Sequence, residues 1–274
     1  MAKKNCKRIS PSMAFLLLAA LVLGVAVAGY TFLGSKPLPA GGGVSQGTAS
    51  SVGAQAPSSG NSRTDAASAA HGRPLDNARL ILQNPELPTG CEATAAAMLL
   101  RAHGYDVDKE TMARTLPTGK FTSREGRLYG PHPNEAFPGN PFTKAGYGVF
   151  AAPVRRAMES IIAGAGGSHT VTDLTGAAEE AILAYIDKGQ PVCIWATMGL
   201  MPVAYRSSWY IQRENGAYTD ERFTWPDNEH CMVLIGYTDT AVTVLDPLKG
   251  ELSYDRRLFF RRHKDVGGFA LVLE

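Results

Sequence analysis

The chain has 274 residues, 45% of them hydrophobic and 19% charged, with a formal net charge of +2. That is enough apolar sequence for a sizeable core and too much for wholesale disorder, and the length fits one or two domains. The charge is uneven: residues 1–76 hold seven Lys/Arg against two Asp/Glu, while the remaining 198 hold 20 against 23. The slightly acidic remainder lacks the basic face that phosphate requires, which argues against a nucleic-acid partner, and four cysteines are too few for a disulfide-dense scaffold.

In chain order, residues 1–12 are a basic segment with Lys3, Lys4, Lys7 and Arg8, followed by an apolar run from Met13 to Leu33. Those 21 residues are long enough to span a bilayer as a helix. The basic flank belongs on the cytoplasmic side, which sends the rest of the chain outward. An uncleaved anchor fits the length better than a signal peptide, whose apolar region is usually shorter. Ala26-Val27-Ala28 nevertheless offers a cleavage site, and cleavage would make the protein secreted. Residues 34–75 are rich in Gly, Ser, Ala and Pro without helical or strand period, and read as a flexible linker. Periodic sequence then runs over 76–274, the expected globular domain.

Within that domain Ala78–Leu82 reads as a first strand or extended lead-in, and a Pro-containing loop follows from Gln83. Thr89 is a fit N-cap for an Ala-rich helix running to Ala102. Glu92 three residues on completes a capping box, and Gly104 is a stop, with His103 expected to cap the helix end. Lys109–Leu116 reads as a second helix, Pro117–Phe150 as a long irregular segment, and Pro153–Ala163 and Gly176–Asp187 as helices. Val192–Ala196 reads as a buried strand. Cys231–Tyr237 and Ala241–Leu245 form a hairpin about Thr238-Asp239-Thr240, and Phe269–Leu273 is a closing strand. Helices first and strands afterwards predict an α+β domain.

One constellation carries chemistry. With Thr89 as cap, Cys91 is the second helical residue, where unpaired N–H groups and the helix dipole favour an anion and so predict a lowered thiol pKa. His230 and Asp246 are equidistant from the hairpin turn, which predicts cross-strand neighbours, the carboxylate orienting the imidazole. The 139 residues from Cys91 to His230 match the separation of nucleophile and base in papain-like enzymes. Gln83, in the loop feeding the helix, is placed to donate to an oxyanion together with the Cys91 backbone N–H. The expected geometry has the Cys91 sulfur within about 4 Å of a His230 ring nitrogen.

On these residues the chain resembles cysteine peptidase family thirty-nine, and more closely its stand-alone branch, similar to bacteriocin-processing, double-glycine peptidases. The resemblance rests on Gln83, Thr89-Gly90-Cys91-Glu92-Ala93-Thr94, the Ala136–Pro141 and Gly146-Tyr147-Gly148 segments, His230–Tyr237 and Asp246-Pro247, and covers most of residues 80–273. It implies a papain-like fold, with N-terminal helices, the nucleophile on the first, packed on a C-terminal antiparallel sheet. It also implies a peptidase with Cys91 as nucleophile, His230 as base, Asp246 as orienter and Gln83 as oxyanion donor. No cofactor is implied, and the partner is a peptide or protein substrate. Members fused to exporters trim leaders in the cytoplasm, so their substrate does not transfer to an outward-facing chain. Acyl transfer by the same triad and a non-catalytic binding module are the competing readings.

Cys193 and Cys231 read as core residues, able to bridge if their strands are neighbours. A zinc site from Cys91, Cys193, Cys231 and His230 has no supporting CxxC or HExxH spacing. Trp209, Trp225, Tyr147 and Phe150 either line a substrate groove or pack.

Overall fold

The computed structural model describes residues 79–274. The basic segment, the apolar run at 13–33 and the linker at 34–75 lie outside the described residues. No helix among the described residues is long and apolar enough to cross a membrane.

The chain enters extended from Arg79 to Gln83, without joining a sheet. It is held by the Ile81 N–H on Met98 Sδ at 3.2 Å and the Gln83 N–H on the Pro247 carbonyl at 2.8 Å. Helix α1 spans Cys91–Ala102 and starts one residue later than predicted, because Gly90, not Thr89, is its N-cap. Both members of the expected capping box are engaged elsewhere. The Thr89 hydroxyl donates to the Thr143 carbonyl at 3.0 Å, and Glu92 Oε1 accepts from the Val149 N–H at 2.6 Å. Gly90 is needed for space, since a Cβ there would lie 2.8 Å from Leu87 Cβ. His103 ends the helix with Nδ1 against the Leu99 carbonyl at 2.9 Å. All of α1 except Arg101 is buried, as expected of a helix apolar all round. Its alanines let the backbone approach its neighbours closely.

Helix α2 spans Lys109–Thr115 and is capped by Asp108, whose Oδ1 accepts from Thr111. The predicted irregular segment contains four short strands: β1 Thr118–Gly119, β2 Thr122–Arg124, β3 Arg127–Gly130 and β4 Phe137–Pro138. Helix α3 (Ala151–Gly164), β5 (Val171–Asp173), helix α4 (Glu179–Asp187) and β6 (Val192–Thr197) follow. After a 3₁₀ turn at Met198–Leu200 come β7 (Tyr205–Gln212), β8 (Tyr218–Pro226), β9 (Glu229–Tyr237) and β10 (Ala241–Asp246). The chain closes with β11 (Gly250–Asp255), helix α5 (Arg256–Asp265) and β12 (Ala270–Leu273).

Six of these strands make an antiparallel sheet in the order β11-β10-β9-β6-β12-β5, so the α+β expectation holds. The sheet is covered on both faces. Cys193, Trp195, Cys231, Val233 and Leu271 pack with α1, α2 and α3. Val192, Ile194, Met232, Leu234 and Val272 pack with Ile182 and Ile186 of α4 and Phe259 and Phe260 of α5. Two buried faces explain why β6 and β9 read as continuous apolar runs without alternation. A second sheet, β2-β3-β7-β8, closes over an aromatic cluster of Phe150, Trp209, Ile211 and Trp225. This sheet and helix α5 were not anticipated from sequence.

The hairpin register departs from symmetry about the turn. Val242 pairs with Tyr237 and Thr243 with Gly236, then a bulge shifts the ladder so that Val244 pairs with Leu234 and Leu245 with Val233. Asp246 therefore stands diagonal to His230, two residues from direct opposition. Diagonal neighbours still come within reach of each other.

Candidate active site

Four loops and strand ends meet at a cleft of about 240 Å³ whose lining includes Gln83, Cys91, Tyr147, Met198, Trp225, Asp227, Glu229 and His230. Cys91 is the first residue of α1 and 8% exposed. His230 Nε2 and Asp246 Oδ1 are 2.8 Å apart, both buried. Burial pushes the Asp246 carboxyl up, but the hydrogen bonds from His230 and from the backbone N–H of Leu248 outweigh it and hold it below the usual range. The carboxylate is thus placed to orient the ring, with Nε2 as the donor.

The structure brings Cys91 and His230 to one cleft but does not join them by a hydrogen bond, and Nδ1 of His230 makes none among the described residues. Strand alternation supplies the reason. Along β9, Cys231 and Val233 face α1, while Met232 and Leu234 face away. The same alternation puts Glu229, and not His230, on the Cys91 side of β9.

Gln83 lines the cleft, but its amide nitrogen donates to the Leu87 and Pro88 carbonyls at 2.9 and 3.2 Å. Its buried Oε1 has no partner. In this arrangement the donor expected for an oxyanion is engaged within its own loop.

Two carboxylates that sequence reading did not assign to the site dominate its electrostatics. Glu92 is fully buried and Glu229 is 6% exposed, and each keeps one oxygen without a hydrogen-bond partner. A Cβ on Gly148 would lie 2.4 Å from Glu92 Oε1, 2.7 Å from Glu229 Oε2 and 3.0 Å from Trp225. The absence of a side chain at Gly148 lets both carboxylates and the edge of the indole come together. Burial raises the Glu92 carboxyl to about 7. Burial, and then the neighbouring Glu92 charge, push Glu229 well above its ordinary value. The Cys91 thiol is likewise driven well up, by burial first and by the Glu92 and Glu229 charges next. This overturns the expected lowered thiol pKa. The helix N-terminus contributes a partial positive charge, and desolvation with two carboxylates outweighs it. The alternation along β9 was the signal for Glu229. Glu92 was concealed by its apparent fit to a capping box.

Among the described residues one group has donor atoms spaced for a cation: Cys91, Glu92 and Glu229, all within 4.8 Å of one another. It is not the set weighed from sequence, and a metal held there would occupy the sulfur. Cys193 and Cys231 do lie on neighbouring strands, with Sγ atoms 3.2 Å apart, and both are free thiols. Of the four aromatics considered from sequence, Tyr147 and Trp225 line the cleft, while Trp209 and Phe150 pack in the aromatic cluster.

A helix that presents a cysteine at its first position, laid on an antiparallel sheet with a His–Asp pair at the ends of two of its strands, is the arrangement of the papain-like α+β class. Residues 75–267 match the model of the Peptidase_C39 like family, and the chain belongs to that family. The chain is similar to the Bacillus subtilis protein YvpB, which is described as uncharacterized. The two are 32% identical over 207 residues, covering 74% of this chain and 76% of the relative. It is also similar to a crystal structure described as a C39-like peptidase from Bacillus anthracis. That match has 31% identity and a TM-score of 0.63, and covers 74% of this chain and 97% of the other.

Proposed function

We propose that the protein is a thiol hydrolase of peptide or amide bonds, held outside the membrane by its N-terminal apolar run. The observation that carries the reading is the His230–Asp246 pair opening onto the same cleft as Cys91. Asp246 accepts from Nε2–H and so keeps Nδ1 unprotonated, ready to take the thiol proton. The sulfur attacks the carbonyl carbon, and the protonated His230 returns the proton to the leaving amine. A thioester remains, and water attacks it with His230 again as base. The first-turn N–H of Cys91 has no intrahelical acceptor and can donate to the oxyanion. Gln83 joins it by exchanging its longer bond, to Pro88, for one to the substrate oxygen.

The test is mass spectrometry of a peptide library incubated with the full-length chain. Cleavage products should appear with the wild type, vanish with Cys91→Ala, and fall roughly 10⁴-fold in rate with His230→Ala. Products that persist with Cys91→Ala, or none with the wild type, sink the hydrolase reading and favour a binding module. Fractionation of cells should place the full-length chain in membranes, its domain open to external protease. A chain found in the cytoplasm refutes the tether.

A further inference from the structure

The cleft is lined by acidic side chains that no basic side chain among the described residues pairs with. Its charged lining residues are Asp227 and Glu229, with no lysine or arginine among the residues lining it. Glu92 lies directly behind Glu229, on the other side of the Gly148 gap. None of Glu92, Asp227 and Glu229 forms a salt bridge among the described residues. Asp227 is held by the Ser207 hydroxyl at 2.6 Å and by the backbone N–H groups of Arg206 and Ser207, which fix its place without cancelling its charge. Glu229 is more than nine-tenths buried, lines the cleft and keeps an unpartnered oxygen. Nearly every buried polar group in a folded protein has a partner, so an orphaned carboxylate oxygen at a cleft wall asks for one from outside.

The remaining walls point to what that partner is. Trp225 approaches the carboxylates, and Tyr147 stands edge-on to it with ring centroids 6.0 Å apart. Rings beside carboxyl groups suit an organic cation, which brings apolar carbon for the rings and charge for the carboxyl oxygens. An ammonium brings three donors and no acceptor, which suits a wall of orphaned carboxylate oxygens. A phosphate or carboxylate ligand would bring only further acceptors to carboxyl oxygens that already lack a donor.

We propose that this cleft takes a substrate bearing an ammonium or guanidinium group beside the bond that Cys91 attacks, and that Glu229 receives that group. The inference rests on the reading of Cys91 as nucleophile and adds the substrate's charge to it. It also resolves the unfavourable setting of the thiol. Burial first, and then Glu92 and Glu229, hold Cys91 protonated in the empty cleft, and a bound cation offsets the carboxylates' part, so the correct substrate helps to ionise its own nucleophile.

The test compares alkylation of Cys91 in the full-length chain by 2-bromoethylammonium, iodoacetamide and iodoacetate, with sites assigned by peptide mapping. Each rate is divided by that reagent's rate with N-acetylcysteine amide, which removes intrinsic reactivity. The expected order is cation over neutral over anion, with at least about ten-fold between the ends, as a charge interaction at this range implies. Glu229→Gln should remove most of that spread. Equal normalised rates, faster reaction with iodoacetate, or a spread unchanged in Glu229→Gln overturns the proposal. The wild-type order stands as a test even if the variant misfolds. Hydrolysis is scored separately, with peptides carrying lysine or norleucine at one position. Equal cleavage of the two also overturns the proposal and leaves the hydrolase reading intact. A charge order kept without any hydrolysis supports the cationic cleft and sinks only the hydrolase.

Discussion

The buried carboxylate of Glu92 makes a quantitative prediction about stability. Its pKa rises from an ordinary 4.5 to about 7 on folding. Between those values the folded protein holds a proton that the unfolded chain releases. The stabilisation is therefore fully present below about pH 4.5 and is lost as pH rises through about 7. Two to three pKa units correspond to on the order of 3 kcal/mol. Glu92→Gln removes the titration while keeping an oxygen to accept from Val149, and its new N–H groups face Glu229, which loses a like charge. Urea or thermal denaturation at pH 4.5 and pH 8 reads the difference. The variant should match the wild type at pH 4.5 and exceed it by about 3 kcal/mol at pH 8. That is roughly 10 °C in Tm for a domain of this size. A difference independent of pH, or a variant weaker than wild type at pH 8, would refute the buried-carboxylate account.

Gly148→Ala should push a methyl into both carboxylates and Trp225. A cost of about 1–3 kcal/mol should appear as a Tm lowered by roughly 2–12 °C, and an unchanged Tm shows that the gap is not filled as described. Asp246 has the opposite linkage to Glu92, because its folded pKa is lowered. Its contribution is present above its ordinary value of 3.8 and lost as pH falls through the lower folded value. Acid unfolding followed by circular dichroism should therefore be shallower below about pH 4 in Asp246→Asn than in the wild type, and identical acid limbs would count against the His230–Asp246 bond.

Much of the site was legible because its signals are local. The Ala-rich run after Gly90 makes a helix whichever residue caps it, so Cys91 lands in the first turn under either cap. The apolar runs on both sides of Thr238-Asp239-Thr240 make a hairpin, which delivers His230 and Asp246 to the same end of the sheet even with the bulge at Thr243/Val244. The bulge moves the ladder by one residue and leaves Asp246 two residues from opposition to His230, an even offset that preserves the face. The second sheet was missed because β7 and β8 show no clean alternation, β8 mixing charged and aromatic residues on both faces, Glu221 with Phe223 and Trp225, Tyr218 with Asp220 and Arg222. Their pattern becomes a buried face only once Phe150 and Phe121 from distant segments cover it.

Helix placement, hairpin and α+β class therefore follow from residues near one another in the chain. The ionisation of the thiol does not. A helix N-terminus read alone predicts an acidic cysteine, because dipole and unpaired N–H groups are all that local sequence contains. The tertiary fold adds Glu229 from a strand 138 positions away, buries Glu92 against Val149, and leaves Gly148 as the only space between them. Desolvation and charge act through space, at distances that sequence separation does not record, and in this protein they outweigh the helix they surround.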